Sequence, residues 1–356
     1  MITGLVVCVV SISAAIYIFE PEISQGFELG VYKRATKIEG KTIHNYQQIE
    51  QAIRSQCKDT IGYMNATVFD DGAYCSIVWT RDSKRSYTAY IIDPYSNEVV
   101  RVVRNSGSFW SIIKGIHVSL LIPKYGRDIV RFSTLLFFFV LISGLWLWYP
   151  RRKKALKSAL TVKVKATRFR LLYDSHRVLG FYIILPLLCI VLSGLVFGYK
   201  WMETGVYSVI SDTPSADSSI ETIEKELSQT HTPLSSFELL YAKQPLLHQY
   251  TITYPSARSK SYSFSFYPDQ FSGLNNYDTY TVDATNGKLL DHERWDELSN
   301  AQKLKRAEYN IHVGAIGGLP TKIIAFITCL ICASLPITGF YIWRRKSKRR
   351  HTPSTR

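Results

Sequence analysis

Four stretches of the chain are almost purely apolar: Met1 to Phe19, Ile129 to Tyr149, Val178 to Tyr199 and Lys322 to Trp343. Each has the roughly 20 residues a helix needs to cross a hydrocarbon core of about 30 Å, so the pattern predicts four transmembrane helices. Between them the period changes. In 20–116, "YQQIEQAIRSQC" places apolar residues at helical spacing, whereas "AYCSIVWT" and "SYTAYIIDPYSNEVVRVV" alternate and are rich in β-branched and aromatic residues. In 202–310, "SSFELLYAKQ" precedes "HQYTITY", "SYSFSFYP" and "YDTYTVDATNGKLLDHE". A helical stretch followed by alternating strands reads as a small α+β domain in each segment.

The fold class expected is therefore membrane α-helical, with four transmembrane helices and extracytoplasmic α+β domains. Charge supplies the orientation. Of 43 Lys and Arg residues in the 356-residue chain, ten fall between Arg151 and Arg177 beside the single acid Asp174, and seven follow Trp343 with no acid. Basic residues next to spans mark the cytoplasmic side. The loop 151–175 and the tail 344–356 are thus expected in the cytoplasm with both termini, and 20–116 and 202–310 on the far side, in a bacterium the periplasm. Elsewhere bases and acids nearly balance, which argues against nucleic acid as a partner, since that needs basic residues interleaved with aromatics on a folded face. The lipid bilayer is the partner this pattern does imply. Helix 1–19 has no basic n-region and reads as a retained span rather than a signal peptide; the other spans lie within 117–150, 176–201 and 311–343.

Cysteine usage follows location. Cys57 and Cys75 fall outside, where an oxidising compartment permits a disulfide. Cys8, Cys189, Cys329 and Cys332 fall in spans, where a free thiol behaves as a small apolar side chain. The Cys329 to Cys332 spacing is CxxC, but Ala333 follows where covalent haem attachment needs His, so the pair reads as packing.

A repeat carries the candidate chemistry. "IHVSLLIPKYGRDIVRFSTLLFFFVLISGLWLWYP" and "IHVGAIGGLPTKIIAFITCLICASLPITGFYIWRR" each run 26 positions from histidine to Ser or Thr (His117 to Ser143, His312 to Thr338) and 31 to tryptophan (Trp148, Trp343). The second and fourth spans are copies of one unit. The third span has a shorter version, His176 to Ser193, a separation of 17. Aligning Ser13 with Ser193 would place the first span's histidine just ahead of Met1, so the chain is expected to begin a few residues late. Topology puts His117 and His312 on one side, as a bis-histidine pair, and His176 on the other. The dipeptides Ser143-Gly144, Ser193-Gly194 and Thr338-Gly339 allow either close approach of a planar macrocycle or tight helix packing. His44, His231, His248 and His292 share no short motif and read as surface or strand residues, since a metal cluster needs several converging ligands. The aromatics of "YSFSFYP" fit a docking surface for a chelate or ordinary strand material.

Two further stretches match each other: "IIDPYSNEVVRV" and "TVDATNGKLLDH" both read strand, Asp, tight turn with Asn, strand. The second resembles the closing hairpin of PepSY domains, with its Asp-x-x-Thr-Gly-like turn; the first has Ser96 and Asn97 instead of Thr and Gly. Through this hairpin and through "DSHRVLGF", "SGLWLWYPRR", "IHVGAIGG" and "ITGFYIWRR", the chain resembles the PepSY-associated transmembrane family, which includes iron-regulated membrane proteins and ferric-siderophore reductases. That resemblance implies a multi-pass protein of the bacterial inner membrane that holds haem b through histidines and passes electrons outward to a ferric siderophore for iron uptake. One haem would lie between His117 and His312; a second, inner haem would have only His176 in this chain. No G-x-G-x-x-G follows a strand, so the electron donor is another molecule. Two other readings stand beside this one. A membrane-anchored PepSY module would bind or restrain a periplasmic protein such as a peptidase and would be colourless. An ion-coupled transporter is disfavoured because the middles of the spans hold no Asp, Glu, Lys or Arg.

Overall fold

The computed structural model describes residues 2–24, 46–56, 63–69, 76–81, 87–92, 98–104, 107–150, 155–210, 226–227, 232–244, 247, 249–256, 259–268 and 273–350. The chain divides into two compact units, one of Met1–Pro21, Ile112–Val209 and Glu308–Arg356, the other of Glu22–Ser111 and Ile210–Ala307.

The first unit is a helical bundle. Its helices include α1 (Ile2–Tyr17), which the short α2 (Glu20–Ser24) follows, α5 (Gly126–Trp148), α6 (Leu156–Ala159), α7 (Arg168–Tyr182), α8 (Ile184–Gly198), α9 (Lys200–Ile210) and α12 (Leu319–Arg350). Three helices are long and apolar enough to cross a membrane, and a bent pair makes a fourth if it is one span. That pair occupies the third apolar stretch, expected as one helix over 176–201. It is instead α7 (Arg168–Tyr182) and α8 (Ile184–Gly198), bent by 63°. Pro186 explains the break: it has no N–H to offer the Tyr182 carbonyl one turn back, and its ring crowds that carbonyl. Val7, Leu141, Leu187, Val191, Leu195 and Cys332 close one core of the bundle. Outward-facing residues such as Phe132, Phe139, Leu185 and Ile337 are apolar too, as befits helices solvated by lipid.

The second unit carries both α+β segments, and they share one sheet. Helix α3 (Tyr46–Gln56) precedes β1 (Tyr63–Phe69), β2 (Ser76–Arg81), β3 (Tyr87–Ile92) and β4 (Val99–Arg104). A second helix, Pro233–Ala242, here α10, precedes β5 (Gln249–Thr253), β6 (Ser261–Tyr267), β7 (Asp278–Asp283) and β8 (Leu289–Glu293). The strands form an antiparallel sheet in the order β4-β3-β2-β1-β5-β6-β7-β8. Two meanders thus join through their first strands, with Ala66 opposite Ile252, and each bears a register shift at its last hairpin, at Ile91/Ile92 and Thr281/Val282.

Alternation decides the faces. Tyr262, Phe264 and Phe266 of β6 are buried with Met64, Ala66 and Val68 of β1 against Ile53 of α3 and Phe237 of α10; each fully buried aromatic contributes about 1.5–3 kcal/mol. On the opposite face the intervening residues pair across strands through hydroxyls and an amide: Ser265 with Thr279 at 2.9 Å, and Asn65 with Thr253 at 3.1 Å. Helix α3 is tied to the second meander by the Tyr262 hydroxyl, which donates to Glu50 Oε2 at 3.2 Å.

The turn after β7 shows why its sequence is Asp-Ala-Thr-Asn-Gly. The Asp283 carboxylate accepts from the backbone N–H groups of Thr285 (2.7 Å) and Asn286 (3.1 Å). Gly287 is left-handed, φ 73°, and its carbonyl accepts from the buried Ser236 hydroxyl of α10 at 2.7 Å. A Cβ on Gly287 would run into the carbonyl of Thr232, the residue that caps α10, and come within 2.6 Å of Ser236 Oγ. The corresponding turn of the first meander lies largely outside the described residues, as do Cys57, Cys75, His44, His231 and His248.

Gly287→Ala is expected to destabilise this unit by about 2–5 kcal/mol, the left-handed cost plus overpacking, read as a lower midpoint in thermal unfolding followed by circular dichroism. Backbone N–H groups hold the Asp283 carboxyl below the usual carboxylate range. Its contribution is therefore complete above the unfolded value of about 3.9 and is lost as pH falls through the lower folded value. Urea unfolding of Asp283→Asn against the parent should show a deficit at neutral pH that shrinks below about pH 4; a pH-independent deficit would contradict the hydrogen-bond account.

Candidate functional site

His117 and His312 each sit in the last turn of a helix that ends just before a span. For His117 that helix is α4 (Phe109–Ser119). The chain then reverses through left-handed Leu120, Leu121 and Lys124 into α5 (Gly126–Trp148). Gly115 permits the reversal, because a Cβ there would lie 2.5 Å from Leu121 Cδ2. For His312 the helix is Asn300–His312, here α11, and the reversal uses left-handed Gly314 and a short 3-10 turn before Leu319–Arg350, here α12. A Cβ on Gly314 would lie 2.5 Å from the Ala325 methyl, so the turn packs directly on the span.

The two imidazoles face one cavity, with ring centres 6.1 Å apart and planes inclined at 62°. Each is anchored to a span of the other kind. His117 Nδ1 lies 3.0 Å from the Val10 carbonyl and 3.5 Å from Ser13 Oγ, both on α1. His312 Nδ1 lies 3.1 Å from the Ile190 carbonyl and 3.0 Å from Ser193 Oγ, both on α8. A carbonyl only accepts, so Nδ1 carries the proton in both rings. In the neutral ring Nε2 is then a lone pair, and it makes no described hydrogen bond. Gly194 makes room: a Cβ there would be 3.2 Å from His312 Cε1. Phe197 meets the His312 ring edge-on at 5.5 Å.

The cavity measures about 450 Å³ and is walled mainly by apolar residues, Val7, Val10, Phe137, Val191 and Phe197 among them. Lys114, Arg127 and Arg131 also line it. Cys329 and Cys332 lie in its wall as free thiols, with the Ser11 hydroxyl donating to Cys332 Sγ at 3.3 Å. Among the described residues no group of three or more His, Cys, Asp or Glu converges. Two imidazoles are few for a bare ion.

His176 is in a different cavity. Its Nδ1 lies 2.8 Å from Thr338 Oγ1 on α12, and a Cβ on Gly339 would be 3.3 Å from its Cε1. This cavity, about 970 Å³, includes Ser143, Gly144 and Arg177 in its wall. Trp148 and Phe181, stacked at 3.6 Å, form another part of it. Nearby Asp174 is fully buried and paired with Arg170 at 3.0 Å and Arg177 at 3.9 Å. His292, in the sheet unit, pairs with Glu297 at 3.2 Å and is in neither cavity's lining.

The structure thus brings together His117 and His312 and keeps His176 apart. The Ser/Thr-Gly dipeptides, open between two readings in the sequence, hold imidazoles at two of three positions. What the sequence hid is the crossing: His117 is 26 residues before Ser143 yet rests beside Ser13. At Ser143-Gly144 nothing lies within 4 Å of a Cβ placed on the glycine. The backbone carbonyls of Val10 and Ile190 left no trace in residue type.

A family model described as "PepSY-associated TM region" matches residues 1–346. No curated protein matches the chain.

Gly194→Ala should lower the thermal midpoint of the detergent-solubilised protein, at a net cost of about 1–2 kcal/mol as the methyl pushes the His312 ring from its partners. Gly144→Ala meets nothing and should gain up to about 1 kcal/mol from helix propensity. Equal shifts of the same sign in differential scanning fluorimetry would show that the glycine at 194 is not there for the ring.

Proposed function

The chain belongs to the family of PepSY-associated TM regions, and from that premise we propose that it is an inner-membrane electron-transfer protein that holds haem b between His117 and His312 and delivers electrons to a periplasmic acceptor, a ferric siderophore. The observation that carries the reading is that two imidazoles from separate helices, each tied to a carbonyl through Nδ1, line one cavity. Their ring centres are 6.1 Å apart, and His117 and His312 would hold the haem iron through Nε2.

Other residues fit the same group. The wall around the rings is mainly apolar, which suits a macrocycle. Lys114, Arg127 and Arg131 in the cavity lining offer cations to the two carboxylates of haem b. The carbonyls of Val10 and Ile190 hold each ring by Nδ1–H and so keep Nε2 available as a ligand. When bound, haem supplies a one-electron Fe(III)/Fe(II) couple. The basic loop and tail favour the cytoplasm for their ends of the spans, which supports a periplasmic side for the segments that carry the sheet. Reducing the iron of a hard-oxygen chelate weakens its hold and frees the metal. With no phosphate-binding loop in the sequence, the donor is a separate reductant.

The visible spectrum of detergent-purified protein tests this. A Soret band that shifts and sharpens on adding dithionite, with resolved α and β bands, is expected for six-coordinate haem b. His117→Ala and His312→Ala should each abolish that six-coordinate signature. A colourless parent protein would leave instead a membrane-anchored PepSY module that binds a partner such as a peptidase, and two coloured, unaltered variants would reject these ligands.

A further inference from the structure

Three histidines in two cavities are held by one device, and we infer that the Ser or Thr of a neighbouring span is the positioning residue for each ring, with unequal weight: Thr338 alone sets the tautomer of His176, whereas Ser193 and Ser13 only assist a carbonyl that sets it for His312 and His117. The tautomers follow from proton counting. The Thr338 hydroxyl has one proton and two carbonyls within reach, Ser334 at 3.0 Å and Leu335 at 3.1 Å. Carbonyls accept only, and a hydroxyl that donates to either of them leaves Oγ1 to accept from His176 Nδ1 at 2.8 Å, the direction this inference assigns. Ser193 likewise donates to Cys189 at 2.7 Å or Ile190 at 3.0 Å and accepts from His312 Nδ1 at 3.0 Å. Ser13 donates to Val10 at 2.9 Å and stands 3.5 Å from His117 Nδ1.

The difference lies in the second acceptor. His312 and His117 each reach a backbone carbonyl, at 3.1 and 3.0 Å; for His176 Nδ1 the Thr338 hydroxyl is the one partner among the described residues. A bond from Nδ1–H to a carbonyl raises the basicity of Nε2 toward a metal. The paired rings are therefore the stronger electron donors, and His176, bound to a neutral hydroxyl, is the weaker. A haem affinity or potential at the paired site should accordingly survive loss of one hydroxyl. The placement of the rings stands on its own; its consequence for a bound metal rests on the haem reading above.

The test reads the tautomers directly, from ring-nitrogen chemical shifts of the detergent-solubilised full chain labelled with ¹⁵N-histidine. His→Gln variants assign the signals. All three rings should show a protonated Nδ1 and a bare Nε2. Thr338→Val should turn His176 into a mixture of tautomers while Thr338→Ser keeps it; where valine disturbs folding, seen as loss of the His117 signals, Thr338→Ala replaces it. Ser193→Ala should leave His312 as the Nδ1–H form and weaken haem binding no more than about tenfold, the low end for lost partners of a metal-ligating histidine, with Ser193→Thr restoring it. His176 unchanged in the valine and alanine variants, or His312 altered by Ser193→Ala as much as His176 by Thr338→Val, would overturn the inference. A parent chain with these tautomers but no haem would sink the proposed function alone.

Discussion

An imidazole inside an apolar bundle has one donor and one acceptor to satisfy, and the structure of this bundle is organised around where the donor goes. Leaving a buried N–H unpaired costs about 1–3 kcal/mol, and lipid offers it nothing. Helix carbonyls are normally spent on their own N–H four residues on, but a serine or threonine one turn later bonds back to them and bends the local geometry toward a shared acceptor. Val10 with Ser13 and Ile190 with Ser193 are two such places, and each receives a histidine from another helix. The glycine after Ser193 is part of the same requirement, since a methyl there would meet the ring at 3.2 Å. Fixing the Nδ1 end in this way is what leaves two Nε2 lone pairs on a common cavity.

That arrangement constrains the rest of the bundle. Because each ring rests on a span other than the one it leads into, α1 and α8 must be held in register with the turns that follow α4 and α11. The left-handed residues Leu120, Leu121 and Lys124 are strained for branched or long side chains, and they persist because packing around Gly115 and Gly126 over-determines them. In the second copy Gly314 adopts the same region at no steric cost. One chemical solution is thus reached with two backbones, which is what divergence after duplication produces when the ring position is kept and the turn is not.

How far the sequence disclosed this depends on the range of the interaction. Period alone exposed the apolar spans and the strands: "SYSFSFY" alternates, and its Tyr262, Phe264 and Phe266 are the buried face of β6. Local chemistry exposed the turn at Asp283, because an Asp, an Asn and a Gly at those offsets can only be useful to a tight hairpin. The kink at Ile183 was legible in principle from Pro186, but a proline inside a span is tolerated often enough, as Pro336 is within the unbroken α12, that its presence does not decide. The joining of both meanders through β1 and β5 was not legible, since an edge strand's backbone pairs with any other and the residue pattern of Asn65, Thr67, Thr251 and Thr253 differs little from a solvent-facing stripe. The histidine seats failed for the same reason: their acceptors are backbone carbonyls, which every residue has.

Duplication could account for the matched spacing of His117 and His312 without any function, so spacing is the weaker argument for a ligand. The stronger one is how the ring nitrogens are used. A histidine kept only to close a helix end in the interface gains by bonding through both nitrogens or by turning one to water. Here both rings are tied by Nδ1, line a mainly apolar cavity, and make no described hydrogen bond through the other nitrogen. Two such acceptors on one cavity cannot hydrogen-bond each other, since neither can donate, and the rings meet only edge-on, 6.1 Å between centres. On the haem reading proposed above, a metal whose other positions are already filled is the species that would take both lone pairs.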